Sequence, residues 1–235
     1  MSFFSDFISV LKKRELVFIE NRKETNEVYS FFFEKAKDLN WKAGQYGLFS
    51  IVHKNVKNPT KPFSLASAPA EDIVRITTVI RDDPSEFKKA LLELSPGMKV
   101  KMSGPLGAFS LQDNNPSLLI AGGIGITPFR SIVKQIEAEG RGNESQIHLM
   151  YMDSRKSYLY KDELDRIADE TSIRVSYLDS RDDLTREIDK FIAAHQNNGK
   201  YFVAGSKSMT NEISSYLQNH NISKRNVKKD AFFGY

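Results

Sequence analysis

The 235-residue sequence contains no cysteine. It therefore cannot form a disulfide scaffold, a thiolate zinc site, a cysteine nucleophile or a cysteine-ligated iron–sulfur cluster. Redox chemistry in this chain would have to use a bound organic cofactor. The sequence also lacks any apolar run close to the roughly 18 residues of a membrane span. We therefore expect a cytoplasmic protein without an integral membrane segment.

A strong excess of charge of either sign is also missing. The chain has 34 Lys+Arg and 30 Asp+Glu, a net charge of +4. This is far below the positive charge with which nucleic-acid-binding proteins contact phosphates. It suits an acidic protein partner or a phosphorylated cofactor. Hydrophobic residues make up 40% and charged residues 27% of the chain, which is typical of a globular protein and excludes general disorder.

Residues 15–111 consist of short extended runs separated by turn residues. Runs of this kind, rich in aromatic and β-branched side chains, predict an antiparallel β-barrel or sandwich. The predicted strands are residues 16–20, 27–33, 46–51, 74–80 and 99–102. An amphipathic helix is predicted at 85–94 and a short one within 1–13, which would pack on its own domain or act as a docking surface.

After Asn114-Asn115-Pro116 the pattern changes to strands that alternate with helices. The predicted strands are 117–121, 147–152, 173–178 and 201–204, and the predicted helices are 128–138, 161–168, 184–195 and 209–220. Buried strands that alternate with helices favour a Rossmann-like parallel sheet with right-handed crossovers. We therefore predict two domains, residues 1–113 and 114–235.

A glycine-rich turn, GGIGITP at 122–128, follows the first strand of the second domain. Ligands bind at this end of a parallel sheet, where glycines let a phosphate approach and a helix N-terminus favours negative charge. Pro128 would suit the first helical position because it has no amide proton. The segment is neither a GxGxxG fingerprint nor a P-loop. Its two interpretations are a nucleotide site and a tight structural connection.

Five motifs occur in order along the chain: AGQY at 43–46, KPFSLAS at 61–67, GPLGAF at 104–109, GGIGITP at 122–128 and DAFFGY at 230–235. With this set the sequence resembles the ferredoxin–NADP reductase superfamily over nearly its whole length. The resemblance implies a flavin-binding β-barrel followed by an NAD(P)-binding α/β domain. It also implies bound FAD rather than FMN, with the flavin and nicotinamide rings meeting between the two domains.

The resemblance assigns the flavin to segment 61–64. Lys61 would meet the pyrophosphate, Phe63 would lie along the isoalloxazine, and Ser64 would hydrogen-bond the hydride-accepting nitrogen, with Pro62 inside the same segment. The family's usual arginine and tyrosine are replaced here by Lys61 and Phe63. These replacements remove a bidentate guanidinium and a phenolic hydrogen bond.

Two more segments of the first domain match flavin-binding positions of the family. Ser85 corresponds to the residue at a helix N-terminus that receives the pyrophosphate, and a helix cap without a ligand is its alternative role. The strand before it would lie beside the flavin ring and offer backbone groups to it. The residues of that strand are Thr77, Thr78 and Val79.

In the second domain the resemblance assigns the nicotinamide nucleotide to the glycine turn and to the turn after the last predicted strand. The residues are Gly122, Gly123, Gly125, Thr127, Pro128, Ala204, Gly205 and Ser206. Thr127 would lie near the nicotinamide, and Ala204 replaces a cysteine of the family. Near the C-terminus, Asp230 would handle a proton, while Phe232 and Tyr235 would border the flavin. Ser64, Thr127 and Asp230 are the candidate catalytic residues.

The preference between NADPH and NADH depends on the end of the third strand of this domain. Ser180-Arg181 is similar to the Ser-Arg pair with which NADP-preferring members bind the 2′-phosphate, since both groups form strong bonds to phosphate. Asp179 would repel that phosphate if it pointed inward. Arg155 is a weaker phosphate candidate. We predict a preference for NADPH, and the alternative is that these charges are simply solvated.

Two further groups of side chains have mainly structural interpretations. The four histidines, His53, His148, His195 and His220, show no metal-ligand spacing, so no metal site is predicted. A basic cluster precedes the C-terminal motif and would be solvated or would recruit an acidic electron carrier. Its residues are Lys224, Arg225, Lys228 and Lys229.

The leading hypothesis is therefore an FAD-dependent NAD(P)H oxidoreductase that passes electrons to a separate acceptor. That acceptor could be a ferredoxin- or flavodoxin-type protein, a haem protein or an oxygenase component. A second hypothesis is an NAD(P)H:flavin oxidoreductase that uses flavin as a diffusible substrate, since Phe63 matches the RPFS segment of that subfamily. A third is a non-catalytic flavin- or nucleotide-binding subunit. The sequence leaves the oligomeric state open.

Overall fold

A computed structural model describes residues 12–111, 114–140 and 146–232. The predicted helix within residues 1–13 lies almost wholly outside these ranges. The predicted site residue Tyr235 also lies outside them. The chain folds into two compact units, of which the first extends to Ser110 and the second begins at Leu111. Within the described ranges, no helix is both long enough and apolar enough to cross a bilayer.

The first unit contains a six-stranded sheet and one helix. Its strands are β1 (Lys13–Lys23), β2 (Val28–Glu34), β3 (Tyr46–Ile51), β4 (Thr60–Ser64), β5 (Ile73–Val79) and β6 (Lys99–Leu106), and its helix is α1 (Glu86–Leu92). The strand order is β4-β3-β6-β1-β2-β5, and every neighbouring pair is antiparallel. The predicted antiparallel β-domain is confirmed.

The two ends of this sheet are joined through the residues that follow β4. The amide of Ala66 donates to the carbonyl of Arg75 in β5 at 2.8 Å, so the sheet curls into a barrel-like form. Period-2 alternation then directs Phe31 and Phe33 of β2 into the interior, where both are fully buried. Phe32 lies on the opposite face of the strand.

The second unit is a parallel five-stranded sheet with helices between its strands. The strands are β7 (Ser117–Gly122), β8 (Ile147–Met152), β9 (Arg174–Leu178), β10 (Lys200–Ser206) and β11 (Val227–Phe232). The helices are α2 (Ile126–Ala138), α3 (Lys161–Glu170), α4 (Arg181–His195) and α5 (Lys207–Asn219). The order β11-β10-β7-β8-β9, with all pairs parallel, confirms the predicted Rossmann-like sheet.

Two strands were not predicted from the sequence. β4 is only five residues long and contains Pro62, and proline is tolerated in strands mainly at an edge. β11 carries Lys228, Lys229 and Asp230, so its charge indicated a solvated loop. Because β4 and β11 each lie at an end of their strand order, these polar residues are compatible with strand pairing.

The predicted position of Pro128 was wrong. Helix α2 begins at Ile126, after a 3-10 turn at Gly123–Gly125, so Pro128 is the third helical residue and not the first. The first four amides of a helix have no partner within it, so the missing proton of Pro128 still costs no helical hydrogen bond. The predicted start of α4 was late by three residues, because Ser180 caps this helix and Arg181 is its first residue.

Candidate flavin and nucleotide sites

Three motifs of the first unit meet at the beginning of β3. The side-chain amide of Gln45 donates to the carbonyl of Gly107 at 2.9 Å, and its backbone carbonyl accepts from the amide of Leu65 at 2.9 Å. The next residue, Tyr46, is paired in register with Ser64. Gln45 therefore fixes the AGQY, KPFSLAS and GPLGAF segments to one another.

Glycine is required at position 107, which contacts this junction. Its φ is +92°, and an added Cβ would lie 3.0 Å from the Tyr46 ring. Both the left-handed backbone and the close approach of the ring favour glycine at this position. The glycine of the GPLGAF motif thus allows the tyrosine of the AGQY motif to pack beside it.

The flavin candidates of segment 61–64 lie on β4. Lys61 is exposed, whereas Ser64 is buried with 8% of its surface accessible. The Phe63 ring is stacked on Phe87 with centroids 5.7 Å apart and an edge contact to Phe49 at 5.9 Å. The barrel core therefore holds Phe63 on at least one side, while the ring remains partly exposed.

Three positive side chains are close to one another near the start of α1. Burial lowers the pKa of Lys88, and the nearby charges of Arg81 and Lys61 lower it further. Ser85 caps this helix, and its hydroxyl accepts from the amide of Lys88 at 3.4 Å. Arg81 also lies 3.6 Å from the carboxylate of Glu27. The three cations together give a positive potential that favours an anion.

A buried polar network lies on β5, beside the predicted flavin-contact residues. The Arg75 guanidinium donates to Glu24 at 2.6 Å and to Ser30 at 3.0 Å, and it lies 5.1 Å from the ring centroid of Phe32. The Ser30 hydroxyl is 2.7 Å from that of Thr77. Thr77 is therefore held by a network that reaches Glu24.

The other two predicted contacts of this strand, Thr78 and Val79, are also buried, with 6% and 8% of their surfaces accessible. In the described structure they pair with Tyr29 and Val28 of β2. Their contact with a flavin ring stays a prediction.

The glycines of the 122–128 turn have different physical roles. A Cβ on Gly125 would lie 2.2 Å from the carbonyl oxygen of Ala204, and one on Gly122 would lie 2.1 Å from the sulfur of Met209. Gly123 has a φ of +53°, and a Cβ on it would meet no described atom within 4 Å. Gly122 and Gly125 therefore allow two turns to pack together, whereas Gly123 has open space around it.

Thr127 and Pro128 lie in the first turn of α2, directly after the glycines. Thr127 retains 2% of its accessible surface, and its hydroxyl donates to the carbonyl of Ile124 at 3.1 Å. Pro128 is also buried. This hydrogen bond stabilises the turn shape, so Thr127 acts here as a structural residue. Its proximity to nicotinamide stays a prediction.

The Ala204-Gly205-Ser206 segment ends β10 beside the glycine turn. Gly205 lies against Gly122, since a Cβ on Gly205 would be 3.3 Å from the carbonyl oxygen of Gly122. Ser206 caps α5 by accepting a hydrogen bond from the amide of Met209 at 3.2 Å. The carboxyl ends of β7 and β10 thus form one contiguous surface, as a nucleotide site at this end of the sheet requires.

Asp230 and Phe232 are placed on β11 next to that surface. They are paired in register with Ala204 and Ser206, and both are half-buried. The strand β11 therefore brings the C-terminal motif to the end of β10. The assignment of a proton to Asp230 and of flavin contact to Phe232 stays a prediction.

The predicted phosphate pair after β9 has partners within the protein. The Ser180 hydroxyl accepts from the amide of Asp183 at 3.1 Å and donates to its carboxylate at 2.7 Å. The Arg181 guanidinium is 3.0 Å from Glu212 of α5, and both side chains are largely exposed. A 2′-phosphate at Arg181 would therefore compete with Glu212.

Asp179 forms an ion pair with a neighbouring lysine. Its carboxylate lies 2.6 Å from Lys156, and this ion pair lowers the pKa of Asp179 and raises that of Lys156. The pairing compensates much of the negative charge that would oppose a phosphate. Arg155 lies in the same turn, where its amide donates to Asp153 at 2.8 Å.

Comparison with known proteins gives matches in sequence and in fold. Residues 119–215 match the oxidoreductase NAD-binding domain family. Flavohemoprotein A of Dictyostelium discoideum is 27% identical over 93% of this chain and 60% of its own length. The toluate 1,2-dioxygenase electron transfer component of Pseudomonas putida is 26% identical over 91% of this chain and 66% of its own.

The fold agrees over both units. Ferredoxin-NADP+ reductase from Plasmodium falciparum superposes with a TM-score of 0.80 at 17% identity, covering 95% of this chain and 97% of that one. The chain therefore has the fold of a ferredoxin–NADP reductase. The chain spans 60% and 66% of the length of the two relatives named above.

The superfamily motifs did not reveal every residue of the candidate sites. Lys88 and Arg81 lie outside the five motifs, although the charges of Arg81 and Lys61 both act on Lys88. The sequence could have indicated the buried position of Arg75, because a charged residue inside the apolar run 73–80 must find a buried partner. Its partner Glu24 is 51 residues away and could not be identified from the sequence.

Proposed function

We propose that this chain is an FAD-dependent NAD(P)H oxidoreductase that delivers electrons to a separate acceptor. The observation that carries the proposal is the junction at Gln45, which assembles three flavin-associated motifs around Ser64. The glycine turn and the Ala204–Ser206 segment supply a matching nucleotide surface in the second unit. The use of NAD(P)H implies a cytoplasmic location.

The residues of the first unit fit FAD. A dinucleotide pyrophosphate carries negative charge, and Lys61, Arg81 and Lys88 place three positive charges near one another. Ser85 at the start of α1 could donate its hydroxyl to the same phosphates. Bound FAD would supply the ability to accept a hydride and to release electrons singly.

Three residues would set the alignment needed for hydride transfer. The buried Ser64 hydroxyl would donate to the hydride-accepting ring nitrogen, and Thr127 would fix the shape of the turn that receives the nicotinamide. Asp230 would hold or release a proton. Their shared contribution is orientation, because hydride transfer depends strongly on how the two rings are placed.

We further propose that NADPH is preferred over NADH. Arg181 would bind the 2′-phosphate, and Lys156 would add a second positive charge nearby. Both cations are exposed and paired with carboxylates, Glu212 and Asp179. Exposed ion pairs of this kind contribute only about 0–1 kcal/mol, so a 2′-phosphate, which is close to doubly charged at neutral pH, can displace them.

The proposed acceptor is a separate redox protein. One relative is a flavohemoprotein and another is the electron transfer component of an oxygenase, which supports a haem protein or an oxygenase component. A ferredoxin- or flavodoxin-type protein is compatible with the same chemistry. The positive charge near the C-terminus favours an acidic acceptor.

A second candidate is an NAD(P)H:flavin oxidoreductase that releases its flavin. The position of Phe63 supports it, because stacking on Phe87 occupies ring surface that would otherwise bind the isoalloxazine. The two candidates differ in the purified protein. A yellow preparation with one FAD per chain supports the first, and a colourless protein that turns over added flavin supports the second.

The decisive experiment is stopped-flow reduction of the purified protein by NADPH and by NADH. Bleaching of the visible absorbance of oxidised flavin reports bound flavin, hydride transfer and nucleotide preference together. We expect rapid bleaching that is faster with NADPH. Failure to oxidise either nucleotide, with added FAD and ferricyanide present, would refute both candidates.

A further inference from the structure

The positive charge of this protein is concentrated in one stretch of the second unit. Residues 200–232 contain six lysines and arginines and two carboxylates, a net charge of +4 that equals the net charge of the whole chain. The remainder of the chain carries equal numbers of both signs. The six cations are Lys200, Lys207, Lys224, Arg225, Lys228 and Lys229.

Three of these cations lie around the edge strand β11 and are not neutralised by a carboxylate of the described structure. Among the described residues, no ion pair involves Lys224, Arg225 or Lys229, and all three side chains are exposed. The Lys229 ammonium donates to the neutral side chain of Asn211 at 3.2 Å. Their charge is therefore available to an external anion.

The turn that carries Lys224 and Arg225 is rigidly attached. Asn226 is 2% exposed, and its side-chain amide donates to the carbonyl of Asn197 at 2.8 Å. The amide of Ser223 donates to the Asn197 side chain at 2.8 Å. A turn whose backbone is already fixed by hydrogen bonds loses little further conformational entropy when its side chains bind a partner.

A groove runs between β11 and helix α5 beside these cations. It has a cavity volume of about 270 Å³ and is lined by Ser214, Gln218, Lys224, Val227 and Lys229. Val227 and Lys229 face the same side of the strand, as period-2 alternation requires. The groove thus offers two ammonium groups, a hydroxyl and an amide around a short apolar floor.

The strand β11 has one unused edge. It is the terminal strand of the sheet and pairs with β10 on one side, while no described strand pairs with its other side. A free strand edge can accept an extended peptide, whose backbone supplies hydrogen bonds and whose alternate side chains enter neighbouring pockets. At β11 those pockets would be positively charged.

We propose that the free edge of β11 and the adjoining groove form a docking site for an extended acidic segment of a partner protein. Glutamate or aspartate side chains at alternate positions would enter the groove and meet Lys224 and Lys229. The same charges disfavour a second copy of this chain, because lysines on both paired edges would repel. This proposal does not depend on the oxidoreductase activity.

Binding of a labelled peptide to the full chain tests the site. The probe is a fluorescein-labelled ten-residue peptide of alternating Glu and Val, with an alternating Gln and Val peptide as its control, followed by fluorescence anisotropy. We expect at least tenfold tighter binding of the Glu peptide at 50 mM salt. The double variant Lys224→Gln/Lys229→Gln should lose that preference, whereas Lys13→Gln/Lys101→Gln, on exposed lysines of the first unit, should retain it within twofold.

Hydrogen–deuterium exchange tests the mode of binding. The Glu peptide should slow exchange of the β11 amides at least fivefold in the parent protein. Equal loss of binding in both double variants would show non-specific attraction, and unchanged exchange in β11 would show that no strand is added. A concentration-dependent dimer in sedimentation, with β11 protected before any peptide is added, would assign the edge to a second copy. Each of these three results would overturn the proposal.

Discussion

Gly125 lies so close to Ala204 that an added Cβ would stand 2.2 Å from the Ala204 carbonyl oxygen. The contact joins the turn after β7 to the end of β10 through backbone atoms, which cannot move aside as a flexible side chain can. Gly123, two residues earlier, has open space around it and a left-handed backbone. The two glycines should therefore respond differently to substitution.

We expect Gly125→Ala to lower the free energy of unfolding by about 3 kcal/mol, since overpacking against backbone is costly. Gly123→Ala should cost only about 1 kcal/mol, the penalty of a left-handed alanine, while weakening nucleotide binding. Urea denaturation and nucleotide titration measure the two effects. Equal destabilisation by both substitutions would contradict the assignment of Gly123 to the ligand side.

The Glu24–Arg75 pair should behave as a buried ion pair. Arg75→Met removes the partner of a carboxylate that is mostly buried, with 16% of its side chain accessible, and should destabilise the protein by about 3 kcal/mol. Glu24→Gln combined with Arg75→Met should recover part of that loss, because no uncompensated charge remains.

Arg22→Met is the matched control for this pair, since Arg22 also lies near the Phe32 ring but is exposed. It should change the urea midpoint little. A double variant less stable than Arg75→Met alone would contradict the ion-pair interpretation.

His148 should make stability depend on pH below neutrality. Burial lowers the pKa of His148 to about 4, with a further decrease from the charge of Arg174, whereas the unfolded value is about 6.5. The unfolded chain therefore binds the proton more readily between these values. Stability present above pH 6.5 should be lost as the pH falls toward 4, at up to about 1.4 kcal/mol per pH unit.

Urea midpoints measured from pH 7.5 to 4.5 test this expectation. His148→Gln should show a shallower loss of stability across that window, and His220→Gln, which changes an exposed histidine, should keep the parent slope. The same slope in all three proteins would assign the acid sensitivity to other groups.

Ser64→Ala should slow flavin reduction by about tenfold, because one hydrogen bond to the reacting ring nitrogen is lost. The substitution removes a single oxygen and should leave the melting temperature close to that of the parent. Single-turnover reduction by NADPH measures the rate. Ser50→Ala, which removes an exposed hydroxyl from neighbouring β3, is the control, and an unaltered rate in Ser64→Ala would refute its proposed role.

Arg181→Ala should weaken the binding of NADPH by about tenfold and leave the binding of NADH nearly unchanged. This is the effect expected when a charge-assisted hydrogen bond to the 2′-phosphate is lost. Glu212→Gln should act in the opposite direction, because it frees the Arg181 guanidinium. The ratio of kcat/KM for the two nucleotides measures both effects.

Arg186→Ala is the control for Arg181, since Arg186 is an exposed arginine of the same helix that pairs with Asp183. It should leave the nucleotide ratio unchanged. Equal effects of Arg181→Ala on NADPH and NADH would remove the phosphate assignment.

The positions of the elements could largely be predicted from the sequence, and β3 and β8 were predicted with their observed bounds. These strands have local signals, namely apolar runs with turn residues on both sides. The strands β4 and β11 lacked such signals, because their proline and charges are tolerated only at the edge of a sheet. Whether a segment is at an edge depends on its neighbours and not on its own residues.

The candidate site also has features that local sequence signals predict and features that depend on distant neighbours. The five motifs and their order were present in the sequence, and they predicted which segments carry the site. The sequence could not show that Gln45 bonds to Gly107, that Arg181 pairs with Glu212, or that Gly125 and Gly123 have different roles. Each of these relationships depends on how the intervening chain brings distant residues together.

The sequence by itself determined the two kinds of domain, the absence of thiol chemistry and five motifs that resemble those of ferredoxin–NADP reductases. These follow from composition and short-range periodicity, which need no knowledge of distant residues. The tertiary structure alone decided which cations lie together, which carboxylates compete for them and which strands lie at the edges of the described sheets. Those properties depend on distances between residues far apart in the chain, and only folding sets such distances.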